Sequence, residues 1–158
     1  MNIFYLHHLP IIAAKMHCDK HVVKMCLETA QILAAVHHIH GNDNVTYKLT
    51  HQNHPCVKWA AQSPTHYKWL QRLGEELCNE YRFRYDRDHK CEQYIKGELS
   101  DPPIALAAAP FFWCEPPKCM PNECKRDSVV ESYQEYYRQA KRAFATWKVR
   151  QAPAFMST

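Results

Sequence analysis

The segment from Met16 to Val36 constrains the fold of this chain most, because as a helix it is apolar over much more than half of its circumference. A helix on a protein surface usually has a wider polar face. At about 100° per residue, five of its polar residues fall within an arc of about 80°; these are His17, His21, Lys24, Glu28 and Gln31. The pattern predicts a central helix with a narrow polar seam, and this seam either lines a cleft or faces water.

Capping residues and prolines mark the ends of three helices. The central helix is expected to begin at Asp19 as its N-cap and to run to about residue 38. Pro55 and Pro64 each suit a first helical turn, and Ser63 is a good N-cap for the second of these helices, which should reach about residue 90. A stripe of apolar side chains at helical spacing supports this long helix, namely Leu70, Leu73, Leu77, Tyr81 and Tyr85.

The last helix is predicted from a capping box formed by Ser128 and Glu131. An apolar stripe then continues at helical spacing to Trp147, so this helix should dock on the others. Between the helices, residues 98–124 contain most of the prolines and cannot form a long helix. Residues 2–6 are apolar and form either a short edge strand or an extended segment in the core.

These signals predict a mainly α fold, organised as a single compact helical domain over residues 1–158. It should have a proline-rich loop segment and at most one short N-terminal strand. The chain length suits one domain with a sizeable core, and its three glycines argue against a phosphate-binding glycine loop or a hairpin-rich β fold.

The sequence also limits where the protein is expected to be located and what it is expected to bind. No apolar run approaches the length of a membrane span and no signal peptide is evident, so the eight cysteines are expected to be reduced. We expect a cytoplasmic protein in the interior of a host cell, neither secreted nor bound to a membrane. The net charge of +4 is too small to establish nucleic-acid binding by itself. Ten of the eleven histidines lie between residues 7 and 66, which points to a local role for them.

The polar seam of the central helix offers groups for catalysis. His21 and Glu28 are candidates for proton transfer, while Lys20 and Lys24 are candidates for binding a phosphate or attacking a sugar carbon. His17 and Gln31 on the same seam are candidates for substrate binding. The alternative is a solvated surface on which Lys24 and Glu28 form an ordinary ion pair.

A second cluster lies between residues 47 and 59. Tyr47 and Trp59 are suited to stacking on a base, and His51, His54 and Lys58 to binding the rest of a substrate. The two histidines, with Cys56 joining them, are also candidate ligands for a metal. In the alternative interpretation His54 caps a helix and His51 is a loop residue.

The proline-rich segment adds three evenly spaced thiols at Cys114, Cys119 and Cys124. Together with a fourth ligand they are candidates for a zinc site, although their spacing differs from the common C-x2-C arrangement. Packed or solvent-facing thiols are the alternative. A divalent metal is therefore the cofactor that the sequence suggests.

The motifs HCDKHVVKM with a following Glu28 and Gln31, THQNHP at residues 50–55 and the C-terminal PAF resemble a group of small proteins of tailed phages and other large-genome viruses. Pyrimidine-dimer glycosylase is a label associated with small phage proteins of this size. In that glycosylase family the catalytic amine is the N-terminal amine of a threonine exposed by removal of Met. This chain begins Met-Asn and is expected to keep its Met, so glycosylase chemistry here predicts Lys20 or Lys24 as the nucleophile.

Two hypotheses of function follow. The first is a viral enzyme, a glycosylase or hydrolase, that acts on DNA or nucleotides through a cleft of Lys, His and Glu side chains. The second is a non-catalytic viral accessory protein that uses the same surface to bind nucleic acid, a nucleotide or a host protein.

Overall fold

The computed structural model describes residues 1–158 and contains seven α-helices and no β-strand, as the mainly α prediction requires. The helices are α1 (Pro10–Met16), α2 (Asp19–Ile39), α3 (Pro55–Ala60), α4 (Pro64–Tyr85), α5 (Glu92–Lys96), α6 (Ile104–Ala107) and α7 (Val129–Tyr136). None of them is both long enough and apolar enough to cross a membrane.

The two long helices, α2 and α4, pack along one another and form the centre of the molecule, with α1 against α4 and α3 against α2. Their facing side chains are fully buried in one continuous hydrophobic core. Gly74 on α4 lies at the crossing with α2, where an added Cβ would meet the Thr29 methyl group at 3.0 Å. Burial of α2 on most sides explains why its sequence is apolar around most of its circumference.

Residues 3–6 are buried and form no strand, so this segment lies in the core rather than at the edge of a sheet. Phe4 stacks on His21 of α2 with ring centroids 4.2 Å apart. The start of the chain is therefore held within the helical body.

Two of the three predicted side-chain caps form. The Ser63 and Ser128 hydroxyls accept the N–H groups of Thr65 (3.1 Å) and Glu131 (2.9 Å), respectively. The N-cap of α2 is Cys18 rather than Asp19. The Asp19 carboxylate instead accepts the N–H of Lys148, which ties the C-terminal segment to α2.

The last helix is shorter than predicted. Helix α7 ends at Tyr136 and is followed by one wide helical turn, Tyr137–Lys141, after which the chain folds back. The Tyr137 side chain is drawn into the core by hydrogen bonds to His21 and to the Cys18 N–H. Trp147 then donates its indole N–H to the Met16 carbonyl (2.9 Å), so this part of the stripe packs as a loop.

A buried arginine on α4 joins several elements. The Arg84 guanidinium is fully buried and donates to the Lys15 and His17 carbonyls at the end of α1. It also donates to the carboxylates of Asp19 (3.0 Å) and Glu80 (2.7 Å). These contacts satisfy carbonyls that the end of a helix leaves without partners.

Candidate active site around the first amine and Glu28

The α-amine of Met1 lies 3.2 Å from Oε1 of Glu28 on α2. Glu28 is only 13% exposed, so this ion pair is partly shielded from water. Asn2 fixes the position of the amine, because its side chain donates to the Cys119 carbonyl (2.9 Å) and accepts the Tyr133 hydroxyl (2.8 Å). The amine is thus held beside a carboxylate by a buried and hydrogen-bonded segment.

His54 lies close to this pair at the start of α3. Burial lowers the pKa of His54, and the positive charges of the Met1 amine and of His51 lower it further, against the opposing charge of Glu28. Its Nδ1 accepts the Cys56 N–H (3.1 Å), which places the proton of the neutral ring on Nε2. His51 is exposed and has a left-handed backbone with φ of 53°. The charge of Glu28 on the seam therefore acts on His54 of the second cluster.

The two histidines of the seam lie in the core and do not share this site. His21 accepts the Tyr137 hydroxyl (2.6 Å) and is stacked on Phe4, and burial lowers its pKa to about 3. His17 donates to the Ala13 carbonyl (2.6 Å), and burial lowers its pKa to about 4. His21 lies seven residues before Glu28, or roughly 10 Å along the helix axis. The structure therefore places His21 in the core, apart from Glu28, and its role in proton transfer stays a prediction.

The lysines of α2 lie at the surface. Lys20 and Lys24 are exposed, and neither forms an ion pair with a carboxylate, because Glu28 pairs with Met1 instead. Lys20 Nζ lies 4.8 Å from the centre of the Phe144 ring, and Lys141 Nζ lies 4.5 Å from that of Tyr136. We call Lys20, Lys24 and Lys141 the basic rim.

The remaining candidates for substrate binding are dispersed. Trp59 is 4% exposed, stacks on His66 with centroids 4.4 Å apart and donates to the Cys114 carbonyl, so its ring has no free face for a base. Half-buried Tyr47 contacts the Cys91 sulfur (3.2 Å). Lys58 is exposed beside a groove of about 390 Å³. Gln31 is half-buried, one turn beyond Glu28 on α2.

The predicted metal ligands are also rearranged. Cys114 is exposed and lies near His66, and Cys124 is buried near Gln139, so the three evenly spaced thiols do not share a site. The structure instead brings His54, Cys56 and Cys119 together, with ligand atoms within 4.8 Å of one another. We call these three residues the thiol–imidazole cluster. A hydrogen bond with the Cys56 thiol lowers the pKa of Cys119 to about 7.

Sequence reasoning missed two parts of this region. The Met1 amine belongs to the backbone and has no residue-type signal, although burial of residues 3–6 implies that the start of the chain is fixed in place. The partnership of Cys56 with Cys119 spans 63 residues and depends on the path of the proline-rich segment. No spacing rule applies to such a contact.

Comparison with known proteins gives one family. The family model described as pyrimidine dimer DNA glycosylase matches residues 1–93. The matched part includes Met1, Glu28 and His54 but leaves out Cys119. No curated protein and no solved structure matches the chain.

Proposed function

Because this chain belongs to the pyrimidine dimer DNA glycosylase family, which supports an enzyme that acts on DNA, we propose that it cleaves the glycosidic bond of a damaged pyrimidine in DNA with the Met1 α-amine as nucleophile. The observation that carries this proposal is the 3.2 Å contact between that amine and Glu28. The proposal replaces Lys20 and Lys24, the nucleophiles expected from sequence, by a group that is already paired with a proton acceptor.

The reaction begins when the ammonium of this ion pair loses a proton, because only the uncharged amine has the lone pair that attacks carbon. The amine nitrogen forms a bond to C1′ of the deoxyribose, and the glycosidic bond breaks with its electron pair moving to the leaving pyrimidine, which is then protonated. Glu28 accepts the proton that the attacking nitrogen loses. Opening of the sugar ring then gives an imine between the sugar carbon and the chain.

The choice of an α-amine over a lysine has a physical reason. As a class, α-amines titrate more than two pH units below lysine ammonium groups, so near pH 7 a fraction more than about a hundredfold larger is uncharged. Only the uncharged amine has the lone pair that attacks carbon. An α-amine therefore needs less help from its surroundings than an exposed lysine such as Lys20.

The basic rim then has a different role in this proposal. Lys20 and Lys24 lie on the same helix as Glu28 and point into solvent, as phosphate contacts require. A base inside a duplex is out of reach of a half-buried amine, so the target nucleotide must leave the stack. Contacts between the basic rim and the phosphates would hold the duplex while this happens.

A glycosylase assay with a matched pair of variants tests the proposal. On a duplex that contains one cyclobutane pyrimidine dimer, Glu28→Gln should slow cleavage of the glycosidic bond at least a hundredfold, because the amide cannot accept the proton. Glu123→Gln, which changes an exposed glutamate on the proline-rich segment, should keep full activity. Wild-type protein that binds this duplex without cleaving a glycosidic bond would refute the proposal and favour the non-catalytic accessory role.

A further inference from the structure

The thiol–imidazole cluster has the spacing of a metal site. The Sγ atoms of Cys56 and Cys119 are 3.8 Å apart. Two thiolates at about 2.3 Å from a tetrahedral zinc ion are separated by about 3.8 Å, whereas a disulfide requires about 2.05 Å. His54 supplies the nitrogen ligand that commonly accompanies cysteine in zinc sites.

The sulfur spacing alone does not identify a metal site in this protein. Cys26 and Cys78 also have their Sγ atoms 3.8 Å apart. That pair is fully buried between α2 and α4, and the Cys26 thiol donates to the Val22 carbonyl. The thiol–imidazole cluster differs from that pair because it has a third ligand, His54. In addition, His54 and Cys119 are only half-buried.

A helix turn and hydrogen bonds hold the three ligands in place. His54 and Cys56 are fixed by the first turn of α3. The Cys119 N–H donates to the Tyr133 hydroxyl (3.3 Å), and its carbonyl accepts the Asn2 side chain (2.9 Å). A metal therefore requires little rearrangement of the backbone, which favours binding.

We propose that His54, Cys56 and Cys119 bind one thiophilic divalent cation of the Zn²⁺ type. Three protein ligands leave a fourth position for water. Both thiols lose their protons on binding, and one ring nitrogen of His54 bonds the metal, so the hydrogen bond from the Cys56 N–H to His54 is given up. The bound cation would join α3 to the proline-rich segment.

This inference goes beyond the family and beyond the proposed function. Cys119 lies outside the residues that match the family model. The site does not need the Met1 amine or Glu28 as ligands, and metal binding can be measured without DNA. A negative result for metal binding would therefore not refute the proposed glycosylase reaction, and a negative result for that reaction would not refute the metal site.

Cobalt provides the test, because tetrahedral Co²⁺ with thiolate ligands absorbs visible light. Titration of the reduced full-length protein should give these bands with a stoichiometry of one Co²⁺ per chain, and one equivalent of Zn²⁺ should abolish them. Cys119→Ser should weaken Co²⁺ binding at least tenfold. Cys114→Ser, which removes an exposed thiol from the same segment, is the matched control and should bind as wild type.

The remaining variants keep the test decisive if one of them is unstable. Cys56 is fully buried, so Cys119→Ser at a half-buried position serves when Cys56→Ser unfolds. His54→Ala should retain the sulfur-to-cobalt absorption but bind at least tenfold more weakly. Absence of visible bands in the folded wild-type protein, or an equal loss in Cys114→Ser, would overturn the proposal.

Discussion

Replacement of Arg84 by Met should be among the most destabilising single changes in this protein. The guanidinium is fully buried and donates to four acceptors, the Lys15 and His17 carbonyls and the Asp19 and Glu80 carboxylates. Methionine fills a similar volume but donates no hydrogen bond. The variant therefore isolates the loss of these donors from the creation of a cavity.

The size of the stability loss depends on which hydrogen-bond donors each acceptor keeps in the variant. Glu80 retains Arg150, and Asp19 retains the Thr146 hydroxyl and the Lys148 N–H, so neither carboxylate is left alone. The two carbonyls at the end of α1 lose the donor that Arg84 supplies. Removing one member of a buried charged network costs about 3–5 kcal/mol, and the remaining partners of the carboxylates place the expected loss near the lower end.

Urea denaturation followed by circular dichroism measures this loss, and the melting temperature should fall on the order of 10 °C. The control is Lys68→Met on the same helix, whose side chain is 51% exposed and pairs with the 80% exposed Asp101 at the surface. It should change the free energy of unfolding by less than about 1 kcal/mol. Equal effects of the two substitutions would refute the account of Arg84 as a buried junction.

Two further predictions concern pH and salt. Burial holds the pKa of His17 at about 4 and that of His21 at about 3, below their ordinary value of 6.5. The unfolded chain therefore binds more protons below pH 6.5, and stability should fall from there by roughly 2 kcal/mol per histidine at pH 5. In His21→Phe the difference in unfolding free energy between pH 7.5 and pH 5 should shrink by about that amount, and an unchanged difference would contradict the assignment. Replacing Lys20, Lys24 and Lys141 together by Ala should reduce the magnitude of the slope of log affinity for DNA against log salt concentration by about 2–3. Sequence preference should not change. Fluorescence anisotropy titrations measure this slope, and an unaltered slope would exclude the basic rim as the phosphate contact.

Periodicity and capping residues were sufficient to predict most helices, because a helix is a local structure. They failed for the last one after Tyr137, where a hydrogen bond to His21 more than a hundred residues away redirects the chain. The proline-rich segment has no period, so its path and its contact between Cys119 and Cys56 could not be predicted.

The candidate site was predicted only in part from the sequence. Glu28 and His54 were found as members of two polar clusters, since chemistry and spacing are visible in sequence. Which groups on the seam are buried depends on neighbouring elements, and Phe4 and Tyr137 cover His21. Lys20 and Lys24 share the helix with Glu28 but are exposed, so their position on the helix did not show which of these groups is buried.

Locating the covalent adduct between protein and DNA tests the central claim most directly. Sodium borohydride adds hydride to the iminium carbon and makes the link between sugar and amine permanent. The protein should be trapped on DNA with a pyrimidine dimer, digested and mapped by mass spectrometry, after intact mass has verified that Met1 is present. We predict that the adduct lies on the Met1 amine and that Lys20→Ala and Lys24→Ala, at concentrations that saturate the DNA, form the same adduct; an adduct on either lysine would contradict the account.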